Sequence, residues 1–544
     1  MSALDPAVPA AVPRPAMAAE ANLWSRLSDR LNPILVREVQ QAVKGRVFPL
    51  MIMLALGISV VIAAVVASNY AEGATGRGAF DAGLATLVPL VLFIIPMQAY
   101  NSMRTELKGG IVEQLLLSRL SPGSVLSGKL QAAMVQFVLY VSVLSPLLAT
   151  SYLLRGVDLP TIAISLMFAL IICVSATAFA VSSAAQAVVP ALQPIANLGI
   201  AFGLGVGTVS MIGFVASGGY SKSVGWLVRS NEFGTFVSGI VLLAVISTTM
   251  SWLAARTFLL HTFENKSTGF RIFLFCLPVL VYGWMLLFVD SAGWSQLFPI
   301  LTFVLLIAGV IFGVFMVTEQ RQLSPRVWAH VPAAGGRSRL MTPLLPGRDR
   351  GFLCFMIYAA LLLGVALIFW PTSGLTMFRG PPGHLANSGL MMLTYAVVYL
   401  SIGRWVRDRL SDNVQGNYAG RFMLPVLIVL FCVVPLLVDV MTRGKVHSWH
   451  VGHVMNPVWT ISEWARSGRW HDAMPVVWIV LLVVTVLQIR VVLRGSGEVQ
   501  RAAAARRLRM QGADAVVAAE AVVAAEAGPE PVSSLGRSDS GNSD

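Results

Sequence analysis

Charge is what this 544-residue sequence has least of: 12% of its residues are Asp, Glu, Lys or Arg, against 56% that are hydrophobic. Soluble domains carry about 25% charged residues, and with a mean hydropathy of +0.74 the chain is excluded from the ordinary soluble class. Cysteine is scarce too. Cys173, Cys276, Cys354 and Cys432 each lie inside an apolar run with no CxxC or Cys/His spacing, which reads them as small core hydrophobes and excludes a disulfide framework or a cysteine metal site. The opening stretch MSALDPAVPAAVPRPAMAAE has neither the basic region nor the apolar core of a signal peptide, so the first apolar run is expected to act as its own insertion signal. No polar stretch is long enough to fold into an ATPase domain. The net charge of +13 sits in short loops between apolar runs, where it faces anionic lipid and holds loops on the cytoplasmic side, so nucleic acid is set aside as a partner.

What is present is a series of apolar runs. A helix needs about 20 such residues to cross the hydrocarbon core, and that window gives about twelve spans, near 47–67, 82–99, 130–153, 160–184, 194–216, 233–255, 272–290, 296–317, 352–370, 385–403, 422–440 and 474–493. Sorting the basic residues tests the topology independently. With both termini cytoplasmic, roughly 30 of the 39 Lys and Arg fall inside, as the positive-inside rule requires. The expected fold is therefore an all-α polytopic membrane protein. Residues 1–20, rich in Ala and Pro, form a disordered N-terminus and 21–46 an amphipathic helix at the membrane interface, with Asn32 and Pro33 breaking or restarting it. Residues 47–262 make a first six-span domain and 263–493 a second. Residues 494–544 are a basic, then low-complexity, cytoplasmic tail.

Several constellations are weighed and discarded. Ion-coupled carriers keep a charged or titratable residue inside the membrane, whereas the polar residues within these spans are amides and hydroxyls such as Gln98, Gln136 and Asn197. Gly123–Lys129, GSVLSGK, fits part of a phosphate-binding P-loop, but Leu130 stands where magnesium needs Ser or Thr, and no strand precedes it. His447, His450, His453 and His471 lie in the longest outer segment among Trp449, Trp459, Trp464 and Trp470. At three-residue steps the first three histidines fan across a helix and do not converge on a metal, so the segment reads as an amphipathic cap, with zinc or copper as the alternative. Gly199, Gly203 and Gly207 at four-residue steps predict close helix packing.

One polar interruption between two long apolar runs is Asn101–Lys129, NSMRTELKGGIVEQLLLSRLSPGSVLSGK. Gly109 and Gly110 permit a tight turn, and Ile111, Val112, Leu115 and Leu116 give the short helix after it one apolar face. Together with NPILVREVQQAVKGRVF before the first span, this loop resembles the permease subunits of ABC-2 type ABC transporters, over the first six spans. The chain departs from the family pattern at Ile111, where Thr is preferred, and shows no second copy of the loop in its later spans. The resemblance implies an elbow helix containing Asn32, Pro33 and Glu38, and a coupling helix that docks into a separate ATP-binding subunit through Glu106, Gly110, Glu113, Leu115, Leu116, Ser121, Gly128 and Lys129. It further implies a non-enzymatic exporter subunit of the cytoplasmic membrane that holds no cofactor or metal, ATP and magnesium residing on the partner, and that pairs with a second permease copy. The alternatives are a non-transporting membrane scaffold that kept a permease-like half, and a membrane enzyme using the outer histidines.

Overall fold

The computed structural model describes residues 32–68, 76–117, 120–154, 156–186, 193–260, 264–319, 341–369, 381–410 and 414–443, with a few single positions besides. Every regular element among them is helical. Among the described residues eight helices are long and apolar enough to cross a membrane: Val47–Val66, Gly76–Lys108, Pro122–Leu153, Leu159–Gln186, Asn197–Ala216, Phe233–Leu259, Thr268–Phe288 and Ile300–Val317. They coincide with the first eight runs expected from hydropathy. The next three expected runs fall on helices Arg348–Phe369, Pro381–Arg409 and Val414–Arg443, and the twelfth, 474–493, lies almost wholly outside the described residues, as do both expected tails. Side chains such as Leu50, Met53 and Leu54 are more than half exposed, a contiguous apolar surface that water does not tolerate and lipid does. The chain is an integral membrane protein.

The chain divides into two compact units, Met1–Leu259 and Leu260–Asp544. In the first unit the helices are α1 (Pro33–Lys44), α2 (Val47–Ser68), α3 (Gly76–Lys108), α4 (Ile111–Leu117), α5 (Pro122–Leu153), α6 (Leu159–Gln186), α7 (Gln193–Ala216), α8 (Gly219–Arg229) and α9 (Phe233–Leu259). Helices α3, α5 and α6 form the centre, with α9 laid against α6, α1 across the start of α5, and α2 at the periphery. The core runs through Phe80, Leu84, Leu87, Val91, Phe137, Tyr140 and Leu144. Close approach of α6 rests on small residues: Ala180, Ser182, Ala184 and Ala185 are buried, and Ser175 and Thr248 share a hydrogen bond of 3.1 Å between α6 and α9.

Helix α3 is not uniform. Pro89 and Pro96 each remove a backbone donor, and between them Leu90–Ile94 winds as a π turn in which the Ile95 N–H bonds back five residues to the Leu90 carbonyl. The turn separates the first half of α3 from the half that carries the polar end.

The second unit contains α10 (Thr268–Phe288), α11 (Ser291–Val317), α12 (Arg348–Phe369), α13 (Pro381–Arg409) and α14 (Val414–Arg443). Helices α11, α12 and α13 pack on one another around Val317, Phe352, Phe355, Met391 and Leu400. A β-carbon on Gly313 of α11 would come 2.8 Å from Leu400 and 3.3 Å from Phe355, and one on Gly309 would overlap the Tyr358 ring. The close-packing stripe is therefore Gly309/Gly313. The expected one, Gly199, Gly203 and Gly207 on α7, meets no atom within 4 Å; its glycines are exposed beside Leu198, Phe202 and Val209. The second unit also buries charge at one end. Arg271 is fully buried and pairs with Glu319 at 2.7 Å while donating to the carbonyls of Pro343, Leu345 and Gly347. Arg348 pairs with Asp408 at 3.0 Å.

Candidate functional site

The polar end of the first unit is built from three helices. Helix α1 starts where its sequence provides a cap: the Asn32 Oδ1 accepts the Ile34 N–H at 3.0 Å, and Pro33 occupies the first helical position, where no donor is needed. The same Asn32 amide donates to the Ser124 carbonyl at 2.6 Å, so the cap of α1 also clasps the first turn of α5. Gly128 makes the approach possible, because a β-carbon there would sit 2.8 Å from Ile34. With α1 pressed on α5, Glu38 reaches inward at 8% exposure.

Four charged side chains then meet. The Lys129 ammonium, 2% exposed, lies 2.6 Å from Glu38 Oε1 and 3.0 Å from Glu106 Oε2, and donates to Ser102 Oγ at 2.7 Å. Arg37 closes the ring, its Nη2 pairing with Glu106 and lying 3.2 Å from Glu38. Ser102 Oγ donates to Glu38 Oε2 at 3.0 Å. Two cations and two carboxylates balance, which is what allows the group to be buried. Burial alone would raise the Glu38 carboxyl; the adjacent Lys129, with Ser102 and Arg37, outweighs it and holds Glu38 below its ordinary value. The ring ties α1, the end of α3 and the start of α5 into one piece.

A second tie lies one turn away. Arg104 on α3, 7% exposed, donates to Tyr100 Oη at 3.1 Å, to Asn197 Oδ1 at 2.8 Å and to Gln193 Oε1 at 2.9 Å, fastening α3 to the start of α7. Sequence reading passed over Arg104, Arg37 and Ser102. The signal was available in principle for Ser102, a polar residue four positions before Glu106 on the same helix face; Arg37 and Arg104 carried no such spacing.

Beyond the ring the chain leaves α3 through Gly109 and Gly110. Gly110 has a φ of +68°, the left-handed conformation that favours glycine at a helix end, and the Gly109 N–H caps the Thr105 carbonyl at 2.9 Å. The two-turn helix α4 follows. Val112 is buried in a cluster with Tyr100, Met103 and Leu126, and Leu116 packs against it; Leu115 is half-buried, Glu113 and Gln114 are exposed, and Ile111 and Leu117 are 38% and 79% exposed. Ser121 then caps α5, its Oγ accepting the Ser124 N–H at 3.1 Å. The P-loop-like GSVLSGK is the opening of that helix, with no loop to cradle a phosphate.

The residues singled out for the elbow and for docking thus occupy different settings. Asn32, Glu38, Glu106, Gly128 and Lys129 lie inside the junction; Pro33 and Ser121 start helices; Gly110 makes the turn; Glu113 is on the outer face of α4, and Leu116 is on its inner one. Of the outer histidines, His453 is described: it is fully buried, stacked on Trp459 at 4.3 Å and 3.7 Å from Asp439. His447, His450 and His471 lie outside the described residues. Among the described residues no three His, Cys, Asp or Glu side chains gather in a metal-holding group. No protein-family model matches the chain, and neither a curated protein nor a solved structure matches it.

Proposed function

We propose that the chain is the membrane-spanning subunit of an ABC-type exporter of the cytoplasmic membrane, driven by ATP hydrolysis on a separate subunit that docks on residues 104–129. In this reading there are about twelve spans with both termini inside, a second permease copy completes the transporter, and neither catalysis nor a cofactor belongs to this chain. The observation that carries the reading is the combination at the polar end. Helix α4 presents Ile111, Glu113 and Leu117 uncovered, while its base is fastened through the Lys129 ring to α1, α3 and α5. A short helix with an uncovered outer face and a rigid footing is suited to pass a partner's displacement into spans, and the π turn of α3 offers a place for those spans to bend. The exposed glycine stripe of α7 supports a second copy packing there.

Two kinds of variant test the docking. Glu113→Arg and Leu117→Asp alter the outer face without touching the buried Val112 or the Leu116 contact, and both are expected to lose co-purification with an ATP-binding subunit while the chain still inserts. Retained co-purification in both variants sinks the assignment. A scaffold role predicts a complex with no substrate-stimulated ATPase activity after reconstitution, so that measurement separates the two readings.

A further inference from the structure

A cleft of about 300 Å³ lies beside the Lys129 ring, under the corner where α1 turns into α2. Its apolar walls are Phe48, Ile95, Ala132 and Ala133, and its polar lining is Gln41, Gln98, Asn101 and Gln136 together with Glu38, Ser102 and Lys129 of the ring itself. Gln136 is 7% exposed and its Oε1 has no hydrogen-bond partner. Buried acceptors and donors left unmade cost free energy, so a polar floor like this needs a filling. The charges nearby do not ask for a counter-ion, since Glu38 and Lys129 satisfy each other at 2.6 Å. What remains open is a set of neutral carboxamides, each able to donate and accept at once. That is the chemistry of hydroxyl recognition, and it does not select for a phosphate or an ammonium. The mouth, at exposed Gln41, Val47 and Asn101, adjoins the lipid-exposed Leu50 and Met53 at the end of α2.

From this we infer that the cleft binds the neutral, polyhydroxylated headgroup of a membrane lipid, the sugar entering between α1 and α3 toward Gln136 while the acyl chains lie along α2. Its volume is at the lower end of small-molecule pockets, enough for one such headgroup. The site stands whether or not an ATPase docks at α4.

The test uses the full chain, exchanged into a sugar-free detergent and incubated with equal amounts of monoglucosyl-diacylglycerol, phosphatidylglycerol and phosphatidylethanolamine, with bound lipid counted by native mass spectrometry. The glucosyl lipid is expected to be retained in preference to both phospholipids, free glucose does not displace it, and Gln136→Leu lowers retention about five-fold. Gln98→Leu, at the rim, lowers it in the same direction without disturbing the buried floor, and Gln131→Leu, on the exposed side of α5, does not. Wild-type protein that retains no lipid, as a merely water-filled cleft would, overturns the inference. So does equal retention of the three lipids, displacement by free glucose, or retention unchanged in both the Gln136 and Gln98 variants.

Discussion

Lys129 ties three helices of the first unit together, because two carboxylates from different helices share it. Replacing it by Met leaves Glu38 and Glu106 facing Arg37 alone, and breaking a buried ion pair from one side costs about 3–5 kcal/mol. Lys129→Met is therefore expected to lower the thermal transition of the detergent-solubilised protein sharply, whereas Ser121→Ala, the loss of an exposed helix cap, costs about 1 kcal/mol. Equal effects would mean that the ring is not a structural centre. The titration of Glu38 gives a second check. Its carboxyl is held below the ordinary value of 4.5, so its contribution to stability is fully present above that value and disappears as pH falls through the lowered one. The stability gap between wild type and Glu38→Gln should close as pH falls below about 4.5; a gap that widens there contradicts the assignment. Much of this was legible beforehand as residue identity. Glu38, Glu106, Gly128 and Lys129 stand out as polar or small residues among apolar neighbours, but sequence order gives no measure of which of them face each other. Of the residues grouped for docking, the fold turns Glu106, Gly128 and Lys129 inward and leaves Glu113 and Ser121 exposed.

At the level of elements, hydropathy placed the eight spans because a lipid-crossing helix is defined by its own composition, independent of its neighbours. Packing is a property of pairs of helices, and there the sequence misled. The stripe on α7 has the small-residue spacing without a facing helix, whereas Gly309 and Gly313 on α11, equally spaced, are the ones in contact with Tyr358 and Leu400. Gly313→Leu should destabilise the second unit by about 1–3 kcal/mol or more through overpacking, seen as earlier loss of protease resistance. Gly203→Leu should leave that property unchanged and, on the proposed function, weaken self-association measured by crosslinking. The reverse pattern would assign the packing roles the other way round. The π turn in α3 was foreshadowed only by the two prolines at 89 and 96.

For the whole molecule, the physical picture is a membrane protein whose first unit concentrates its polarity at one end, where an uncovered helix stands on a charge-locked footing. The second unit has no such projecting helix among its described residues, and spends its buried arginines on carbonyls and carboxylates of its own connecting segment. The proposed function rests on the resemblance of one loop together with the polar end, because transport is a relation between chains. The most direct measurement takes that relation apart. Purified with the ATP-binding subunit proposed here and reconstituted, Leu117→Asp should abolish the complex, while a folded variant of the ring, Arg37→Gln, should keep the complex but lose the coupling of ATP hydrolysis to transport. A complex that survives Leu117→Asp, or transport undiminished in Arg37→Gln, would contradict the account.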